Sequence, residues 1–145
     1  MTPRRLTAPR RGVVRSRAAG EHYAPGRMLA FHEAWFYVAV LATGVVGLWG
    51  VALGAMKSEP VRWFTLARNA AIAAMLVQIG AGLAVYGQGR RPGNGFHVFY
   101  GVVIAITLSF AYVYRAQLER RPALGYGLLL LFVMGLGLRA WANVN

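Results

Sequence analysis

The chain has 145 residues, of which 57% are hydrophobic and 14% charged, with 16 Lys and Arg against four Asp and Glu and a formal net charge of +12. Soluble domains carry about 25% charged residues, so this balance argues against a water-soluble globule and for an integral membrane protein. Cysteine is absent, which removes disulfides, thiolate metal sites, iron–sulfur clusters and cysteine redox relays. The net charge would suggest nucleic acid in a soluble protein. Here the basic residues lie in a tail and at the caps of apolar runs, where they set topology and meet anionic lipid, so no nucleic-acid partner is expected.

Residues 1–27 read as a polar tail with Arg4, Arg5, Arg10, Arg11, Arg15, Arg17 and Arg27. It has too little apolar surface to fold alone and is expected to be disordered. As a polybasic segment it would lie on anionic lipid at the cytoplasmic face; the plainer readings are a solvated topogenic tail, or a start at Met28. Arg4-Arg5 stands too far from the apolar region for a twin-arginine signal, and the first apolar run is too long for a cleavable one.

Residues 28–145 form the membrane domain. A first helix is predicted over about 29–56, uncharged from Ala34 to Met56, which at about 1.5 Å per residue spans a core of about 30 Å. Gly44, Gly47, Gly50 and Gly54 thin one side of it, where another backbone can approach. Lys57-Ser58-Glu59-Pro60 breaks it. A second helix is predicted over about 61–87, with Gln78 near its middle as interhelical hydrogen-bond glue, or, in a sharper reading, as a quinone or proton-pathway contact. The Gly87–Gly95 linker is turn chemistry, without the strand that a phosphate-binding loop requires. The third helix is expected over about 95–117. The fourth, over about 122–142, ends in Arg139 and Trp141, suited to an interface. The fold class is therefore all-α, a four-helix membrane bundle. The positive-inside rule places both termini in the cytoplasm, mainly through the tail.

Phe31-His32 and Phe96-His97 each open an odd-numbered helix, each followed by an aromatic residue, Trp35 or Tyr100. The return helices match loosely, with Gly80-Ala81-Gly82 beside Gly135-Leu136-Gly137. Two tandem hairpins of this kind would be parallel repeats about an axis along the membrane normal. The two odd helices run in the same direction, so His32 and His97 fall at similar depth on the same side. On the third helix His97, Gly101, Ala105 and Ser109 share a slowly drifting face of one histidine and small residues.

A histidine at the edge of a hydrocarbon core needs a partner or a task. The sharp expectation is that His32 and His97 are the axial ligands of one b-type haem, the only metal the sequence suggests. Gly101 and Tyr100 would lie beside it, and Arg90, Arg91 and Arg139, with Arg27, on the same side for its propionates. The plainer expectation is that each histidine faces head groups or bonds a backbone carbonyl in a cofactor-free scaffold whose glycine faces pack on a larger partner. His22 reads as solvated, and Tyr100, Trp35 and Tyr86 as interfacial anchors.

Nothing in the chain points to catalysis. Glu33 is the only carboxylate next to a membrane run, so a paired-carboxylate site and an oxygen-ligated metal site both lack residues. Two membrane histidines and one surface glutamate do not make a zinc site, and no Ser–His–acid set is suggested. Small multidrug transporters also have four short helices with a glutamate in the first. Theirs lies well within the membrane, whereas Glu33 is at its edge, so transport is the weaker alternative.

Through Phe96-His97-Val98-Phe99-Tyr100-Gly101, Trp49-Gly50 and Gly137-Leu138-Arg139-Ala140, residues 28–142 resemble uncharacterised small four-helix membrane proteins of high-GC Gram-positive bacteria. The distinctive motif is the His97–Tyr100–Gly101 triplet, and the resemblance implies a fold and no activity. The paired-histidine layout is also similar, at the level of fold, to a small cytochrome b or half of a haem A synthase, without the flanking motifs of those families. Together these imply an accessory or assembly subunit of an energy-converting membrane complex.

Overall fold

The protein is described by a computed structural model covering residues 26–58 and 60–144. The helices are α1 (Gly26–Ala55), α2 (Arg62–Gly87), α3 (Gly95–Val113), α4 (Arg115–Leu118) and α5 (Pro122–Ala142), and there is no strand among the described residues. The 30, 26, 19 and 21 residues of α1, α2, α3 and α5 make four helices long and apolar enough to cross a membrane. The fold is therefore an all-α membrane bundle, as expected. The expected disorder and lipid contact of the tail fall largely on residues 1–25, outside the described residues; Gly26 and Arg27 already belong to α1.

The third span is shorter than its apolar run suggests, ending at Val113 rather than Gln117. Tyr114 leaves helical geometry with φ −94° and ψ 22°, and its carbonyl accepts from the N–H groups of Gln117 and Leu118 to begin the separate turn α4. That turn sets Leu118 against Gly125 at the start of α5.

Local chemistry sets the other ends. Asn94 caps α3, its side chain accepting the Phe96 N–H at 2.9 Å, which fixes His97 in the first turn. Pro122 occupies the first turn of α5, where its missing N–H costs nothing. The end of α1 is a Schellman motif: the Ser58 N–H bonds Leu53 O at 3.0 Å and the Lys57 N–H bonds Gly54 O at 3.2 Å. The left-handed position, φ 52°, is held by Lys57 rather than glycine. Lys57→Gly is expected to stabilise the protein by about 0.5–1 kcal/mol, read as a higher thermal midpoint in detergent.

α1 is the central helix. It packs along α2 on one side and α5 on the other, α3 packs on α5, and α2 meets α3 at only a few positions. The α1–α5 seam is the closest because glycines face each other across it. A Cβ on Gly127 would lie 2.6 Å from Val51 N and 2.8 Å from Gly50 C, and one on Gly50 would lie 2.7 Å from Ala123 O. In lipid, where apolar burial gives little drive between helices, such backbone approach is what holds spans together. The two hairpins α1–α2 and α3–α5 are present, but the α2–α3 seam that a strict two-fold repeat would make equal to α1–α5 is open. Gly80 on α2 and Gly101 on α3 have nothing within 4 Å of a would-be Cβ.

The packed core occupies the middle and one end of the bundle. Phe64, Leu130 and Tyr126 anchor one cluster, and Ala39, Met75, Val133 and Leu108 the next. Trp35 ties α1 to α2, its Nε1–H donating to Ala74 O at 2.9 Å. Thr43, fully buried, returns its hydroxyl to Ala39 O and Val40 O within α1. Toward the start of α1 and α3 this packing gives way to open space.

Candidate functional site

The open space holds both membrane histidines. The rings of His32, in the second turn of α1, and His97, in the first of α3, converge with centroids 6.0 Å apart and planes at 87°. Their shared depth follows from the parallel course of α1 and α3. Their convergence comes from the packing of both helices onto α5.

Two connected spaces surround the pair. The larger, about 800 Å³, opens at the end of the bundle and is lined by His32, Glu33, Gln78, Tyr86, His97 and Trp141 together with the loop residues Arg90 and Arg91. The smaller, about 190 Å³, enters the α2–α3 gap between Met75, Ile79, Leu83, Val98 and Val102. Both lie against His32, Phe36, Gln78, Gly82, Tyr86 and His97. The larger falls within the range of about 300–1,000 Å³ usual for small-molecule sites.

Glycines make the room. Gly82 of α2, Gly101 of α3 and Gly137 of α5 all line the smaller space. A Cβ at Gly82 would lie 3.1 Å from His32 Cε1, whereas one at Gly101 would meet nothing within 4 Å. Gly82→Ala is therefore expected to displace the His32 ring, and Gly101→Ala to leave both rings in place. Histidine side-chain NMR of the two variants checks this.

The two imidazoles differ in their partners. His97 Nδ1 lies 3.2 Å from Ala140 O, a carbonyl near the end of α5 that also accepts the Asn143 N–H at 3.3 Å. The carbonyl can only accept, so His97 carries its proton on Nδ1 and presents Nε2 as a lone pair. His32 Nδ1 is buried with no hydrogen-bond partner, and so is Gln78 Oε1. Buried polar groups of this kind are rare and mark an unfilled requirement.

Of the expected site residues, His32, His97, Gly101, Arg90 and Arg91 meet at the cavity. Arg91 stacks its guanidinium 4.0 Å over the Tyr86 ring, so it is held at the mouth. Tyr100 and Arg139 are not brought to the site. Tyr100 packs edge-on against Phe99, centroids 5.4 Å apart, and neither residue lines either space. Both sit on the wrong side of their helices: the cavity face of α3 carries His97, Gly101 and Ala105, and that of α5 carries Gly137 and Ala140. Ser109, expected to continue that α3 face, bonds its own Ala105 O at 2.8 Å and is exposed. Gln78, expected as an interhelical hydrogen-bonding residue, lines the cavity with its buried side-chain oxygen lacking a donor.

Gly82, Gly137 and Ala140 were not singled out as site residues. The repeat alignment carried the signal, because Gly82 and Gly137 are its equivalent positions and each lies on the helix beside a histidine. No third His, Cys, Asp or Glu ligand joins the pair among the described residues. An ion held between them would therefore draw its remaining ligands from elsewhere. No protein-family model, curated protein or solved structure matches the chain.

Proposed function

We propose that this multi-pass membrane protein holds one haem b between His32 and His97 and serves as an accessory or assembly subunit of an energy-converting membrane complex. The observation that carries the reading is the convergence of two imidazoles, centroids 6.0 Å apart, in an end cavity of about 800 Å³. First-row metal–imidazole bonds are about 2 Å long, so rings at this spacing leave the width of one metal ion between them. A porphyrin would supply the remaining ligands, which the described residues do not provide.

The surrounding residues fit that group. The Ala140 carbonyl fixes the tautomer in which His97 Nε2 can bind iron. Gly82, Gly101 and Gly137 leave flat space beside the rings, and Phe36, Val40, Met75 and Ile104 keep water from it. Arg90 and Arg91 stand at the mouth, where the propionates of a haem would emerge. The haem when bound supplies one-electron chemistry. With no cysteine in the chain and no further ligand cluster among the described residues, its electron partners would lie in other subunits. The arginines of the tail, together with Arg90, Arg91 and Arg139 on the same side, outnumber Lys57, Arg62, Arg68, Arg115, Arg120 and Arg121 on the other and favour a cytoplasmic placement of both termini.

The test is the visible spectrum of the detergent-purified protein, oxidised and dithionite-reduced, before and after haem supplementation. A sharp reduced-state α band of the b-cytochrome kind supports the reading. A colourless preparation after supplementation overturns it and leaves a scaffold that joins a partner through its helix faces.

A further inference from the structure

We infer that Gln78 is the positioning partner of His32, its side-chain oxygen accepting the Nδ1–H of the imidazole so that Nε2 is left to bind iron. The inference rests on the haem reading and adds a role that the histidine pair alone does not assign.

The two buried polar atoms without partners, His32 Nδ1 and Gln78 Oε1, belong to residues lining the same cavity. One is a ring nitrogen that donates in one tautomer, and the other is an acceptor. The His32 ring lies against α2 at Gly82, where a Cβ would be 3.1 Å from Cε1 and 3.6 Å from Nδ1. Gln78 is one turn earlier on the same face of α2. Gly82 lets the imidazole approach that face, and the Gln78 amide is the polar group waiting there, 8% exposed. A rotamer of Gln78 that turns Oε1 toward His32 Nδ1 would satisfy both atoms in one bond.

The arrangement mirrors the other histidine by a different means. His97 uses a main-chain acceptor, Ala140 O near the end of α5. His32 instead lies against the middle of α2 at Gly82, where the buried Gln78 side-chain oxygen has no other partner. Partners of this kind orient a metal-binding imidazole and set its basicity, and losing one costs about 10- to 100-fold in metal affinity.

The full chain, purified in detergent with 15N-labelled histidine, is compared as wild type, Gln78→Leu and Gln78→Glu. Far-UV circular dichroism verifies the fold of each. Haemin titration and the reduction midpoint of the loaded protein are measured, together with the 15N spectrum of the haem-free protein. The expected result is a loss of about 10- to 100-fold in haemin affinity and a shifted midpoint in Gln78→Leu. Gln78→Glu, which keeps an acceptor oxygen, restores the affinity. In the haem-free spectrum His32 is protonated on Nδ1 in wild type and becomes a tautomer mixture in Gln78→Leu. A Gln78→Leu protein with wild-type affinity and midpoint overturns the role of Gln78 and leaves the haem site standing. A wild-type protein that takes up no haem overturns the site itself. In that case an unchanged His32 signal in Gln78→Leu overturns the hydrogen bond as well.

Discussion

His97→Ala is expected to abolish the reduced-state α band and weaken haemin binding by more than about 100-fold, beyond what loss of a supporting residue costs. Among the described residues His97 and His32 are the only imidazoles at the cavity, and no other His, Cys, Asp or Glu cluster can substitute. Removing either leaves an iron with one protein ligand, and His32→Ala is expected to do the same. His97→Ala also creates a space the size of the missing ring beside Gly101, so free imidazole in the buffer should restore part of the spectrum. Tyr100→Phe and Arg139→Gln should bind haem as wild type does, because both side chains lie off the cavity. Equal loss in all four variants would mean that the spectrum reports general damage to the bundle rather than ligation.

The second large effect concerns the α1–α5 seam. Gly127→Leu is expected to destabilise the protein by at least about 3 kcal/mol, the upper part of the range for overpacking. A Cβ at this position meets Val51 N at 2.6 Å, Gly50 C at 2.8 Å and Gly47 O at 3.0 Å. All three are main-chain atoms, which cannot rotate away, so the helices must separate along their length. Gly135→Leu on the same helix is the control, since a Cβ there meets nothing within 4 Å and leucine is the better helix former by up to about 1 kcal/mol. Thermal unfolding in detergent, followed by circular dichroism, reads both. A Gly127→Leu protein with the wild-type midpoint would show that the seam is looser than the structure has it.

These two predictions draw on different kinds of information. The four spans were legible in the sequence because an uncharged run of sufficient length is a local property, and so are the breaks at Lys57-Ser58-Glu59-Pro60 and over the Gly87–Gly95 linker. The shared depth of His32 and His97 followed from counting crossings. Much of the seam was legible too, since Gly44, Gly47, Gly50 and Gly54 advertise a close approach, although their partner helix was not named.

What the sequence by itself determined was therefore the class of protein, the number and direction of its helices, and the pairing of two histidines at one end. The tertiary structure decided which way each helix is turned. A span of this chain is apolar toward lipid and apolar toward its neighbours, so it lacks the contrast of polar and apolar faces from which rotation is read in a soluble helix. For that reason Tyr100 and Arg139 could be placed at the right depth and on the wrong side. The close α1–α5 seam and the open α2–α3 seam depend on main-chain atoms from distant parts of the chain meeting at 2.6–3.0 Å from a missing Cβ. Such a fit becomes visible only once the helices are assembled.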